Sequence, residues 1–334
     1  FLANSWAAIG IKTDPKADQL LRLRRLLPSI GDTIPAPDAK HQEWLTFAYR
    51  WAEHIALRVE LQNSLDSPML NELGKLQKRV DVAFLTWIKR RYAGLHNLPA
   101  MPPVMVHHVP GVLSRKVTKN NAHKAALIVI DGLALDQWLI LREALRSQRP
   151  NLDIQEGAVF AWLPTLTPVS RQALFAGRPP FYFPASIKST SEELAQWRHY
   201  WHNLGFTPSE VGYIRGLGEG DLGEVREVVT GHGLRIIGLV INTVDKIMHG
   251  MELGTAGMHN QVRQWVAEGY LVRLCDLLIE SGFEIVLTSD HGNIEAYGCG
   301  QPSEGVLADV RGNRVRIYPD SSLRNRTRES FPDA

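Results

Sequence analysis

Three aspartates, two histidines and a threonine each follow closely on an apolar, strand-like run in this chain. Ile130 leads into Asp131-Gly132 and Trp162 into Leu163-Pro-Thr-Leu-Thr167-Pro168. Ile241 leads into Asn242-Thr-Val-Asp245-Lys-Ile-Met-His249, and Ser289 into Asp290-His291-Gly292-Asn293. In open α/β sheets ligands bind beyond the carboxyl ends of the strands, so these groups are expected to meet on one edge. Crowded carboxylates do not all stay ionised unless cations sit among them. Carboxylate plus imidazole is ligand chemistry for zinc or manganese. Asp131, Asp245, His249, Asp290 and His291 are more ligands than one tetrahedral site uses and suit two. Two metals serve in-line phosphoryl displacement, one activating the nucleophile and one stabilising the leaving oxygen. The nucleophile would be Thr167, whose hydroxyl is weak at neutral pH unless metal coordination activates it.

The elements that must position these groups alternate. Ala125–Ile130 is short, uniformly apolar and β-branched, as suits a strand buried on both faces of a parallel sheet. Further strands are expected at Asp153–Trp162, Arg235–Ile241 and Phe283–Ser289, with helices at Leu133–Ser147, Pro168–Ala176 and Gly257–Ser281. That alternation predicts an α/β fold with a doubly wound sheet. Arg311–Tyr318, with Gly312-Asn313 at a turn, reads as a hairpin. Residues 179–233, rich in aromatics, glycine and proline, interrupt the pattern and are read as an inserted cap.

Residues 1–103 form a helical N-terminal domain in this reading, and 104–334 the core. Asp18–Leu27, Gln42–Leu61 and Met69–Tyr92 carry apolar residues at helical spacing. In the last of them Leu73, Leu76, Val80, Ala83, Phe84, Trp87 and Ile88 make one stripe. The boundary is Leu98-Pro-Ala-Met-Pro-Pro103. Residues 1–100 hold 14 Lys+Arg against 10 Asp+Glu, a net of +4, which is thin for DNA binding, so this module is expected to serve protein contacts. The clusters Arg22/Arg24/Arg25, Lys78/Arg79 and Lys89/Arg90/Arg91 read as solvated helix faces.

Composition excludes several classes. Charged residues make up 22% of the chain and hydrophobic ones 44%, ordinary for a globular protein, and the net charge of +2 excludes a generic nucleic-acid binder. No apolar run approaches the ~20 residues of a membrane helix. Cys275 and Cys299 show no metal spacing or disulfide framework and fit a reducing, cytoplasmic setting. The chain opens on Phe1 and closes on Ala334 after a loop-like run, and is read as a fragment.

The ordered set of motifs carries a resemblance. The strand into Asp131-Gly132, Thr167 ten residues before Gly177, Asp245-x-x-x-His249 and Thr288-Ser-Asp290-His291-Gly292 together resemble the alkaline phosphatase superfamily. Val106 to Pro332, including Pro164-Thr-Leu-Thr-Pro-Val-Ser-Arg171 and Leu287-Thr-Ser-Asp-His-Gly-Asn293, resembles more closely the PglZ family of bacterial BREX phage-defence systems. The resemblance implies one metal among Asp131, Asp290, His291 and Thr167, and a second at Asp245 and His249. Zinc is the expected metal and manganese the alternative. It implies a phosphomonoesterase or phosphodiesterase that forms a phosphothreonine, with a phosphoester substrate (nucleic acid among the candidates), other phage-defence proteins as partners and no membrane. The superfamily adds a third ligand at the second site from a C-terminal histidine motif. No histidine follows His291, so that ligand is expected beyond Ala334.

Taken singly, each motif has an ordinary explanation. Asp131 suits a turn after a strand, Asp245 and His249 a helical surface pair, and Thr167-Pro168 a helix cap with proline at the first position. Thr165 is the competing hydroxyl; Thr167 is preferred for its distance to Gly177 and for the cap. Arg171, one turn beyond Thr167, would clamp phosphate or form a surface pair, and Ser170 would donate to phosphate. His107, His108, His199, His202, His232 and His259 lack ligand spacing and are read as structural. The rival to an enzyme is a low-turnover, metal-stabilised scaffold that docks other defence proteins.

Overall fold

The computed structural model describes residues 14–119, 124–296, 298, 300, 310–311 and 315–331. Three helices come first: α1 (Pro15–Asp32), α2 (His41–Glu60) and α3 (Ser67–Arg91). Helix α3 starts where Asp66 Oδ1 accepts from Met69 N at 2.9 Å, with Pro68 in its first turn. Its apolar stripe packs against Trp44, Phe47 and Phe160. Trp87 is fully buried, donates from Nε1 to Ala39 O at 2.8 Å, and stacks on Phe160 with ring centroids 5.3 Å apart. Trp87→Ala should therefore cost about 3–5 kcal/mol, read as a lowered denaturant midpoint for the helical layer. Several basic residues tie these helices together: Arg22 pairs with Glu53, Arg79 donates to Gly31 O and Arg91 to Asp38 O.

Helix α4 (Val109–Lys119) leads to strand β1 (Lys124–Ile130), followed by α5 (Leu135–Gln148), α6 (Thr167–Ala176) and α7 (Glu193–His202). Then come β2 (Val211–Leu217), α8 (Gly223–Thr230), β3 (Ile236–Ile241) and α9 (Thr243–His249). The remainder is α10 (Gly254–Ala267), α11 (Tyr270–Glu280), β4 (Phe283–Thr288), the short strands β5 (Val310–Arg311) and β6 (Arg316–Ile317), and α12 (Ser321–Ser330). The main sheet is parallel, in the order β2-β3-β1-β4. Alternate residues of β1 face opposite cores. Ala126, Ile128 and Ile130 pack with α5, α10 and α11, while Ala125, Leu127 and Val129 pack with α4, α6 and α7. The sheet is therefore doubly wound, and the helical layer rests on it through α2, which packs on α5 and α10.

Three sequence expectations need correction. Asp153–Trp162 forms no strand of the sheet; only Phe160 bridges, to Met105. Both edges of β1 are already taken by β3 and β4, and Phe160 is held away under Trp87. The segment 179–233, read as a cap, contains β2, the edge strand beside β3. The expected long helix at Gly257–Ser281 is two helices, broken at Gly269, whose φ of +76° a helix cannot carry. The hairpin expectation is met by antiparallel pairing of β5 with β6; its Gly312-Asn313 turn lies outside the described residues. Cys275 is buried and Cys299 lies outside the described residues. No helix among the described residues is long and apolar enough to cross a membrane.

Candidate active site

Strands β1, β3 and β4 run parallel, so their carboxyl ends open on one edge. Asp131 follows β1, Asp245 lies in the first turn of α9 just after β3, and Asp290-His291 follows β4. Gly132 shows how closely these ends approach. Its φ is +72°, and a Cβ there would stand 3.7 Å from Asp245 Oδ1 and 3.8 Å from His291 Cε1. Thr167 arrives on the start of α6 rather than at a strand end. Leu166, not Thr167, is the N-cap, and it caps through its carbonyl, which accepts from Val169 N and Ser170 N. That leaves the Thr167 hydroxyl to turn into the site: Oγ1 lies 3.0 Å from His291 Nε2 and 3.4 Å from Asp131 Oδ1.

Asp290 is fully buried. Its Oδ1 accepts from Gly132 N at 3.1 Å and His291 N at 2.9 Å, whereas Oδ2 has no hydrogen-bond partner among the described residues. Burial pushes this carboxyl well above the usual range; Asp131 adds to the rise, and His291 and Arg171 oppose it. An orphaned carboxylate oxygen in a buried pocket is costly unless something positive meets it. One donor atom each from Asp131, Asp290 and His291 lies within 4.8 Å of the others. This donor set fits a divalent ion such as zinc. His291 Nδ1 lies 2.9 Å from Gly292 O, a contact that leaves Nε2 facing Thr167. Asn293 completes the turn, donating to Gly132 O at 2.7 Å and pairing with Gln137.

Asp245 and His249 sit on the same edge, one helical turn apart, with Oδ1 and Nε2 separated by 3.5 Å. Burial raises the Asp245 carboxyl and Asp131 adds to it, while His249, His291 and Arg171 pull the other way. The His249 side chain is 74% exposed, and no third donor groups with this pair among the described residues.

The expectation that Ser170 and Arg171 contact substrate meets two buried side chains. Ser170 Oγ accepts from Trp162 N at 3.0 Å and so holds the loop that leads to Thr167. Arg171 donates from Nη1 to Asp131 Oδ2 at 2.5 Å and from Nε to Glu193 Oε1 at 2.7 Å. Burial works against the Arg171 charge, but Glu193 and Asp131 outweigh it and hold the guanidinium protonated. For Glu193 burial wins and raises the carboxyl, against Arg171 and Tyr213. We read Glu193 as ionised, because it accepts from both Arg171 Nε and the Tyr213 hydroxyl, the latter at 2.5 Å. Sequence reasoning missed Glu193 and Tyr213: a glutamate at a helix start is an ordinary dipole partner, and no motif marks either.

Of the histidines read as structural, His107, His108 and His259 are buried and held by hydrogen bonds, whereas His199, His202 and His232 are exposed. His107 Nδ1 accepts from Trp162 Nε1, His108 Nδ1 from Val104 N, and His259 meets Asp136 at 2.6 Å. A cleft of about 1070 Å³ between α2, α3 and β4 reaches Asp290 and His291, but Thr167, Asp131 and Asp245 do not line it. It is a neighbour of the site, not the space above the nucleophile.

The sequence model of the BREX system PglZ alkaline phosphatase-like domain matches residues 112–331, the stretch that carries every group described above from Asp131 to Asn293. Comparison with curated proteins gives no match.

Proposed function

The chain belongs to the family of the BREX system PglZ alkaline phosphatase-like domain, and from that premise we propose that it is a metal-dependent phosphoester hydrolase of phage defence with Thr167 as nucleophile. The observation that carries the reading is the Thr167 hydroxyl, 3.0 Å from His291 Nε2 and 3.4 Å from Asp131 Oδ1, beside the Asp290 Oδ2 that has no hydrogen-bond partner among the described residues. Asp131, Asp290 and His291 would hold one divalent ion and Asp245 with His249 a second, supplying positive charge at the attacking and leaving oxygens. Thr167 Oγ1 attacks phosphorus as its proton passes to water; the new oxygen–phosphorus bond forms, the bond to the leaving group breaks, and that group takes up a proton from water and departs as the alcohol. Water then cleaves the threonine ester, the phosphate product departs and the hydroxyl regains its proton. The start of α6 directs its positive dipole end at the phosphoryl group. Zinc suits the donor set, with manganese as the alternative. The setting is cytoplasmic, beside other defence proteins, and nucleic acid is among the candidate substrates.

The test is a panel of phosphomonoesters and phosphodiesters given to the full-length protein. Hydrolysis of at least one class is expected, lost on chelation and restored by zinc or manganese. A panel unaffected by chelation would overturn the metal-dependent reading. One observation favours the second reading, a low-turnover scaffold: the Asp245/His249 pair is open to solvent at His249 and has no third donor among the described residues.

A further inference from the structure

Four elements meet in a buried chain of charges behind the site. Asp131 follows β1, Arg171 lies in α6, Glu193 opens α7 and Tyr213 lies on β2. The chain runs Asp131 Oδ2 to Arg171 Nη1, Arg171 Nε to Glu193 Oε1, and Glu193 Oε2 to the Tyr213 hydroxyl, with every link at 2.5–2.7 Å. The side chains of Asp131, Arg171 and Glu193 are 4, 5 and 1% exposed. We propose that Glu193 is a positioning residue that acts through Arg171: it fixes the guanidinium on Asp131 Oδ2 so that Oδ1 faces Thr167 and His291, and it restores the negative charge that Arg171 removes. The inference rests on the phosphohydrolase reading above.

Two observations support more than a structural staple. Thr167 and Arg171 lie four residues apart on α6, on one face. A rotation of α6 that moved the nucleophile would also break the contact between Arg171 and Asp131. The second is the charge balance. Asp131 paired with Arg171 alone is a neutral couple and a weak partner for a divalent cation. With Glu193 on the other side of the guanidinium, the triad is net negative. A staple between α6 and α7 would need only one carboxylate; this arginine has two, and one of them also belongs to the metal-type cluster. Outer partners of this kind orient ligands and tune their affinity.

Glu193→Gln keeps the shape and leaves a carbonyl oxygen to accept from Arg171 Nε, but removes the charge. Zinc titration of the full chain by calorimetry, without substrate, should show roughly 10- to 100-fold weaker binding, and cobalt substituted at the site should show an altered visible absorption band. Tyr213→Phe keeps the charge and frees one end of the carboxylate; it should weaken binding about 2- to 10-fold, the worth of one hydrogen bond. This second variant keeps the inference testable if Glu193→Gln does not fold. Lowered thermal stability with zinc affinity and cobalt spectrum unchanged would overturn the proposal and leave Glu193 a staple. Affinity is read without substrate, so failure of the hydrolysis panel and failure of this inference remain separate results.

Discussion

Thr167→Ala should lower phosphoester hydrolysis by on the order of 10³-fold or more, the scale seen when a nucleophile is removed from a site whose other parts survive. Metal affinity should change far less, because Asp131, Asp290 and His291 remain. The fold should survive too: Thr167 is the first helical residue, its side chain makes no cap, and alanine suits a helix. Thr167→Ser retains a hydroxyl and should keep measurable turnover together with a trapped phosphoserine. Thr165→Ala should leave the rate close to that of the parent protein. Mass spectrometry of the quenched reaction would place the phosphoryl group directly. Equal rates for the parent protein and Thr167→Ala would remove the nucleophile assignment and favour the scaffold.

Asp290→Asn should weaken metal binding by more than the roughly 100-fold that loss of an outer partner costs. The substitution is nearly isosteric. The amide oxygen can still accept from Gly132 N and His291 N, and the amide nitrogen replaces an oxygen that has no hydrogen-bond partner among the described residues. The loss is therefore one of ligand charge rather than of structure. Metal at 100 times its dissociation constant stabilises the parent protein by about 2.7 kcal/mol, and the variant should lose most of that gain. Titration of the parent protein should show one tight site and one weak site, the weak one at Asp245 and His249.

The same carboxyl gives a pH dependence with a definite sign. Burial raises Asp290 above its ordinary value, so in the metal-free protein its contribution to stability is full at acid pH and is lost as pH rises through the raised value. Metal binding must displace that proton. The metal-induced gain in Tm should accordingly grow from acid towards neutral pH in the parent protein, and more steeply than in Asp290→Asn, where only the remaining ligands release protons. A parent protein whose metal-induced gain shrinks as pH rises would contradict the raised carboxyl.

Local pattern carried much of the fold. The uniformly apolar stretch ending at Ile130, the Thr167-Pro168 helix start and the stripe through Val80 and Trp87 are all signals within a few residues, and each forms the element expected. Burial on both faces demands an apolar strand, and proline is favoured in the first turn of a helix. The ordered motifs also located the groups that gather on one sheet edge, because in a parallel sheet every carboxyl end opens on the same side.

Tertiary structure decided the rest. Phe160 and Val211–Leu217 show why: Asp153–Trp162 has the more strand-like pattern, yet β2 takes the sheet edge. Gly212, Gly216 and Arg215 hide β2 from any local reading, and strand choice depends on which neighbour has a free edge. The Gly238 position on β3 likewise reflects packing; a Cβ there would stand 2.9 Å from Phe175 and 3.3 Å from Trp197, the residues that bring α6 and α7 onto the sheet. Glu193 gains its meaning only by reaching Arg171 and Tyr213, 22 and 20 residues away. Thr167 meets His291 across 124 residues. Periodicity and propensity act over a few residues along the chain, whereas the burial that pairs charges and aims a hydroxyl is set by parts of the chain that meet only on folding.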